Sequence, residues 1–249
     1  MLIPKVPSTG AKTMQFLAML TMLIDHLGIV LFPETPWLRH IGRLAMPLYA
    51  YALVLGYGRT RSFRRYALRL AAIAVLSQLP YQYALMGPDE SFEFNVVFTL
   101  LVSLAVLRLI DLSISSTSAR GLRAGVIAHG DSLGTAWRPI TTASIAASGC
   151  LLLELLPFDY GAYLLLLVLI YRFTVGQVAT ALHFFLNALY LLPGSPPYQM
   201  YSLLATLLIA HAPKALDAAG RIRIPRWLWL SFYPAHLAVL AAIRPFVAV

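Results

Sequence analysis

Apolar residues run through this chain in long blocks separated by short polar segments. A hydrocarbon layer about 30 Å thick takes roughly 20 apolar residues in a helix. On that scale the blocks predict nine helical spans, at 13–32, 38–58, 66–86, 93–110, 139–157, 159–174, 176–192, 198–212 and 227–247. The sixth and eighth are short, as in tilted, broken or merged helices. The pattern is that of an all-α, polytopic transmembrane helical bundle, one domain over residues 1–249. The longest non-apolar segment, 111–138, is rich in Ser, Thr, Gly and Arg and reads as a flexible cytoplasmic loop. The run after Lys12 contains Asp25 and His26 and has no small-residue cleavage site, so it reads as a retained first span.

Composition agrees. Apolar residues make up 59% of the chain and charged ones 12%, against about a quarter in soluble domains. A net charge of +9 in a polar protein would suggest nucleic acid. Here the basic residues sit in clusters between apolar blocks, which excludes that reading and gives an orientation instead. With the N-terminus cytoplasmic, 16 of the 19 Lys and Arg residues fall on the inner side. Only Arg39, Arg43 and Arg244 lie toward the outside, while Glu34, Asp89, Glu90, Glu93 and Asp159 occupy outer loops. The C-terminus is then outside. Cys150 is alone, so neither a disulfide framework nor a cysteine metal site is expected. No internal repeat and no Walker or Rossmann glycine motif is present.

Ionisable residues within spans are costly and mark polar interiors. Asp25 and His26 fall roughly 20 Å from the inner end of span one, and Arg43 roughly 8 Å below the outer end of span two, at 1.5 Å per residue. These depths coincide. Asn95 opens span four on the same side, and Asp159 with Tyr160 opens span six. His236 lies roughly 14 Å into span nine, deeper than His26. Tyr233 shares its face, and Pro234 is expected to bend the helix and expose a carbonyl beside it. Each feature also has a structural reading. Asp25 with Arg43 suits an interhelical clasp, and His183 with Asn187 suits interhelical glue. The arginines of 59–69 suit positive-inside anchors; Tyr81, Tyr83, Trp227 and Trp229 suit an interfacial belt.

The segments MLTMLIDHLGIVLFPETPWLRHIGRLAMPLYAYALVLGYGRTRSFRRYALRL, LSQLPYQYAL, FNVVFTLLVSLAVL, FDYGAYLLLLVLIYRF and SFYPAHLAVL, taken in this order, resemble the TraX family of multi-pass membrane acetyltransferases. That resemblance implies transfer of an acetyl group from cytoplasmic acetyl-CoA to an extracytoplasmic acceptor: a pilin N-terminus, a glycan or another amine or hydroxyl. It implies a multi-pass protein of the cell membrane, in bacteria the cytoplasmic membrane, with the lipid bilayer as its other partner. By the resemblance, His26 matches the essential histidine, with Asp25 beside it and Arg43 in the second-span motif. Arg69, Asn95, Asp159, Tyr160, Tyr233 and His236 match further motif positions. Residues 111–156 and 175–226 show no clear family pattern.

The chemistry suits these residues. Acetyl transfer from a thioester needs a base and an oxyanion stabiliser and no metal. A neutral histidine serves as base near pH 7, its reference pKa being about 6.5. The expected catalytic set is His26, Asp25 and Arg43, with Asn95, Asp159 and Tyr160 toward the acceptor. The donor side is expected to use Arg61, Arg64, Arg65 and Arg69 for the CoA phosphates, with Tyr233 and His236 along the path. Direct transfer and an acetyl-histidine intermediate both remain open. So do two other classes, a proton-coupled small-solute transporter and a non-catalytic conjugation or assembly component.

Overall fold

The computed structural model describes residues 8–87, 91–123, 132–192, 197–212 and 224–247. Among them the chain is helical throughout, and the only strand-like pairing is a single parallel bridge between Phe94 and Phe158. The helices are α1 Ser8–Val30, α2 Pro36–Gly42, α3 Ala45–Arg59, α4 Phe63–Tyr81, α5 Val96–Arg123, α6 Ser132–Leu155, α7 Gly161–Phe173, α8 Gly176–Leu191, α9 Ser202–His211 and α10 Arg226–Val247. A π-helical turn, Gln82–Met86, extends α4, and a 3₁₀ turn, Pro197–Tyr201, leads into α9.

Among the described residues, three stretches are long and apolar enough to cross a membrane: Thr13–Val30, Val96–Ile114 and Arg226–Val247. The remaining helices are shorter, interrupted or, like α4 with Arg64, Arg65 and Arg69, more charged, for local reasons. The second apolar block divides at Arg43 and Leu44. Pro47 has no N–H to give residue 43, so it fits the first turn of a helix and not the interior of one running through residue 43. The chain turns there, with Leu44 N–H donating to the Ile41 carbonyl at 3.1 Å. Pro80 likewise loosens the end of α4, where the ladder widens into the π turn that closes with Gly87 N–H on the Gln82 carbonyl at 2.8 Å. Helix also covers much of the 111–138 segment read above as a loop. α5 continues to Arg123 and α6 starts at Ser132; residues 124–131 lie outside the described residues. Ile114, packed against the buried cluster of Val106 and Ile110, carries α5 past the predicted end of its span.

Helices α3 and α7 form the centre. Leu48, Ala50, Leu53, Val54 and Leu55 of α3 and Leu164, Leu165, Leu167 and Val168 of α7 are all buried. Around them pack α1, α5 and α9, with α10 bridging α1 and α4, α6 on α5 and α7, and α8 on α7 and α9. The outer faces are apolar and exposed, for example Val75, Leu76 and Leu79 on α4, Leu151 and Leu155 on α6, and Val178, Phe185 and Leu189 on α8. So much exposed apolar surface is that of a protein bathed in lipid rather than water.

A buried polar seam joins α7, α8 and α9. His183 Nε2 meets the Tyr163 hydroxyl at 3.0 Å and Ser202 Oγ at 3.1 Å, while its Nδ1 meets Thr206 Oγ1 at 2.5 Å. Tyr163 donates to Asn187 Oδ1 at 2.8 Å, and Asn187 Nδ2 donates to Ser202 Oγ at 3.0 Å. His183 and Asn187 are thus the interhelical glue their spacing suggests. On the opposite side of the centre, Arg172 Nη2 donates to both Asp111 oxygens at 3.0 Å and Tyr57 donates to the same carboxylate at 2.8 Å, tying α3, α5 and α7.

Candidate active site

Asp25 and His26 are neighbours on α1, so their side chains leave the helix about 100° apart and meet different partners. Asp25 faces α2. Arg43 Nη2 donates to its two oxygens at 3.1 and 3.0 Å, and Arg39 Nε lies 3.5 Å from Oδ1. Gly42 makes this approach possible: a Cβ there would collide with the Asp25 carboxylate and its Cβ. Arg43 is itself buried, 5.4 Å from the Tyr198 ring and 5.8 Å from that of Tyr160. Its Nη1 reaches Gln199 Oε1 at 3.5 Å. The Arg43 Nε and Gln199 Nε2 atoms are buried with no hydrogen-bond partner among the described residues.

His26 faces α10 instead. Its Nδ1 lies 2.7 Å from Nε2 of His236, with the ring planes within 13°. His236 Nδ1 lies 2.6 Å from the Phe232 carbonyl oxygen, and the Phe232 ring stacks on the imidazole at 4.6 Å. Two expectations change here. Counting residues along straight helices put His236 below His26, yet the imidazoles are in direct contact; the count assumes helices normal to the layer and starting at one level. The carbonyl beside His236 is that of Phe232, whereas the one left without an N–H by Pro234 is four residues back, at Leu230. Tyr233 does share the histidine's face, its ring 5.7 Å from that of His236 and 6.4 Å from that of His26.

Between these groups lies a cavity of about 700 Å³, within the range of small-molecule sites. Asp25, His26, Arg39, Arg43, Glu93, Asp159, Tyr160, Tyr198, Gln199 and Tyr233 line its polar part. Met22, Met46, Tyr49, Leu70, Ile73, Trp229 and Phe232 line its apolar part. Asp159 and Tyr160 sit in the turn between α6 and α7. Phe94 N–H donates to the Pro157 carbonyl, Asp159 N–H donates to the Phe94 carbonyl, and Thr99 Oγ1 donates to the Asp159 carbonyl, at 2.7, 2.9 and 2.7 Å. These bonds hold Tyr160 at φ 62°, a left-handed conformation costly for a tyrosine, which turns its ring over Arg43. Burial, and then Glu93 close by, push the Asp159 carboxyl up to about 7 in this turn, outside the helices; Arg43 opposes the rise.

The structure thus brings together His26, Asp25, Arg43, Tyr233, Asp159 and Tyr160, with His236 directly behind His26. Asn95 is not in the cavity lining. Its Nδ2 donates to the Ala74 carbonyl at 2.8 Å and Gln78 Oε1 at 2.9 Å, and its Oδ1 accepts from Val97 N–H at 3.0 Å. With its amide engaged on both sides, it joins α4 to the start of α5. Arg61, Arg64 and Arg65 are exposed at the start of α4, and Arg69 lies over Tyr66 at 5.7 Å. None of the four lines the cavity, although Leu70 and Ile73 of the same helix do. Tyr81 and Trp229, read as interfacial aromatics, face inward: Tyr81 donates to Glu93 Oε2 at 3.2 Å and Trp229 stacks on Tyr49 at 5.4 Å. Tyr83 and Trp227 remain exposed. Sequence reasoning passed over Tyr198 and Gln199; their signal was the PPYQMY interruption of an apolar block. Among the described residues, no three His, Cys, Asp or Glu side chains are grouped as metal ligands.

Fold and site together define an all-helical membrane protein with a paired-histidine and ion-pair centre in a buried cavity. The chain belongs to the TraX family: the family model, described as TraX protein, matches residues 11–244. It is also similar to a probable fimbrial assembly protein, FimC of serogroup H1, from Dichelobacter nodosus. That match is 29% identical over 110 residues, covering 39% of this chain and 45% of that protein. The similarity thus spans less than half of the relative's length. No solved structure matches.

Proposed function

We propose that this protein is a multi-pass membrane acetyltransferase that moves an acetyl group from cytoplasmic acetyl-CoA to an amine or hydroxyl acceptor on the outer side. The observation that carries the reading is the placement of His26, a base, on the wall of a cavity that the buried Arg43 guanidinium also lines and that is large enough for two reacting groups. A proton acceptor and an electrostatic stabiliser are what acyl transfer from a thioester requires. His26 takes the proton as the acceptor's nitrogen or oxygen attacks the thioester carbonyl. Arg43, with its unpartnered Nε, faces the developing oxyanion or holds the acceptor. CoA leaves as the thiolate and takes its proton from the His26 imidazolium. Transfer in two steps through an acetyl-histidine uses the same groups.

The two ends of the cavity suit different substrates. Asp159 and Glu93, both in connections between helices, favour an acceptor carrying an amine, such as the N-terminus of an assembling fibre subunit. The name of the relative in Dichelobacter nodosus, a fimbrial assembly protein, supports an acceptor of this kind. Leu70, Ile73 and Trp229 give the cavity an apolar wall of the kind a pantetheine arm needs, and Leu70 and Ile73 belong to the helix whose start carries the arginines. Arg61, Arg64, Arg65 and Arg69 are then the groups that meet the CoA phosphates.

Nine spans with the N-terminus inside are consistent with how the loops meet. Residues assigned to the outside, Arg39, Arg43, Glu93, Asp159 and Gln199, share one polar rim, and residues assigned to the inside, Asp111 and Arg172, share one clasp with Tyr57.

The test uses purified full-length protein in detergent or nanodiscs with radiolabelled acetyl-CoA and a peptide bearing a free N-terminal amine. Acceptor acetylation is expected, falling roughly 10²–10⁴-fold in His26→Ala. Wild-type protein that transfers no acetyl group to any amine or hydroxyl acceptor and does not hydrolyse the thioester overturns the reading.

A further inference from the structure

The paired histidines form a directional chain. A carbonyl oxygen only accepts, so Nδ1 of His236, 2.6 Å from the Phe232 carbonyl, carries a hydrogen. In a neutral imidazole the other nitrogen is then bare. That bare Nε2 lies 2.7 Å from Nδ1 of His26, which must therefore carry the hydrogen of that bond. Neutral His26 is left with its lone pair on Nε2. This atom makes no hydrogen bond among the described residues, and the ring that bears it lines the cavity.

We propose that His236 is a positioning residue: through the Phe232 carbonyl it fixes His26 as the Nδ1–H tautomer and presents His26 Nε2 to the cavity as the base. The inference rests on the acetyltransferase reading for its catalytic meaning, but the tautomer stands on the hydrogen bonds alone. It also gives His236 a different part from the cofactor contact expected of it: it is not among the residues that line the cavity and acts through His26. The same chain stabilises the product of proton uptake. Once Nε2 is protonated, the His26 cation donates through Nδ1 to a neutral acceptor whose far side ends on a carbonyl dipole. Orienting groups of this kind commonly set the tautomer of a working histidine.

The experiment uses the full-length protein with ring-¹⁵N histidine in nanodiscs at a pH where His26 is neutral. His26 is assigned by its absence from the His26→Gln spectrum. Wild type is expected to show His26 protonated at Nδ1 and bare at Nε2. In His236→Phe, which removes the acceptor, the proton is expected to move to Nε2. In His236→Gln, whose side-chain oxygen accepts a bond, Nδ1–H is expected to persist. Acetyl transfer is expected to follow: kcat falls roughly 10²-fold in His236→Phe, KM for acetyl-CoA changes less than about twofold, and His236→Gln recovers most of the rate. A purely structural His236 predicts equal losses in both variants. His26 protonated at Nε2 in wild type overturns the proposal even if neither variant folds, and so does a tautomer unchanged in His236→Phe. If wild type shows Nδ1–H but transfers no acetyl group, the acetyltransferase reading fails and the tautomer assignment survives.

Discussion

At the scale of single residues, the arrangement around Asp25 is one of mutual dependence. Two guanidiniums face one carboxylate in a buried setting, where removing one partner strands the other's charge at a cost of about 3–5 kcal/mol. Asp25→Asn, which leaves the buried Arg43 without its counter-charge, is therefore expected to lower thermal stability in detergent more than Arg43→Met, which leaves Asp25 with Arg39 at 3.5 Å. The double variant should lose less than the sum of the two, because neither charge is then stranded. Asp159 titrates the other way. Its carboxyl is held up to about 7 by burial and Glu93, so its contribution to stability is fully present below about 3.8, its ordinary value, and is lost as pH rises through about 7. Asp159→Asn should match wild type in melting temperature near pH 4 and exceed it near pH 8. An advantage that does not grow with pH would show that the carboxyl is not held up in this way. Asp25, His26 and Arg43 were legible in the sequence because charges in apolar blocks are rare. The His26–His236 contact was not, since residues 210 apart in the chain are brought together only by helix packing.

At the scale of elements, small residues and prolines decide where helices stop and how closely they approach. Gly42 lets α2 settle on the Asp25 side chain of α1, and Pro47 sits in the first turn of α3, which starts at Ala45, two residues beyond Arg43. Gly42→Ala is expected to force α1 and α2 apart and cost about 1–3 kcal/mol, with loss of the Asp25–Arg43 bond. Melting in detergent and an altered Asp25 carboxyl signal by infrared spectroscopy check this. Long apolar blocks predict an all-helical chain, as found, and the interruption at Arg43 is written in the sequence as GRLAMP. Apolar residues flank the break on both sides, so by hydropathy alone the two helices form one span. The continuation of α5 to Arg123 was hidden by Ser, Thr and Arg residues, which suit a helix end as well as a loop.

For the whole molecule, the proposed orientation has a direct check in a Cys150→Ser background. Cysteines placed at Glu34 and Phe92 should react with an impermeant maleimide added outside intact cells, and one at Arg64 only after permeabilisation. The reverse pattern inverts the topology. The alternation of charge predicts a direction for every block, and this labelling tests it. Depth within the layer was less readable, because counting residues takes no account of tilt, and it separated two histidines that are bonded to each other.

The Asp25–Arg43 pair also bears on how such a protein is made. A lone charge at the centre of a helix entering lipid costs about 2.5–3.5 kcal/mol on insertion scales. Here the two opposite charges lie 18 residues apart, on α1 and at the break between α2 and α3. This segment thus carries its own counter-charge as it leaves the ribosome. It can enter the bilayer as a nearly neutral unit before any later helix has been synthesised to receive it.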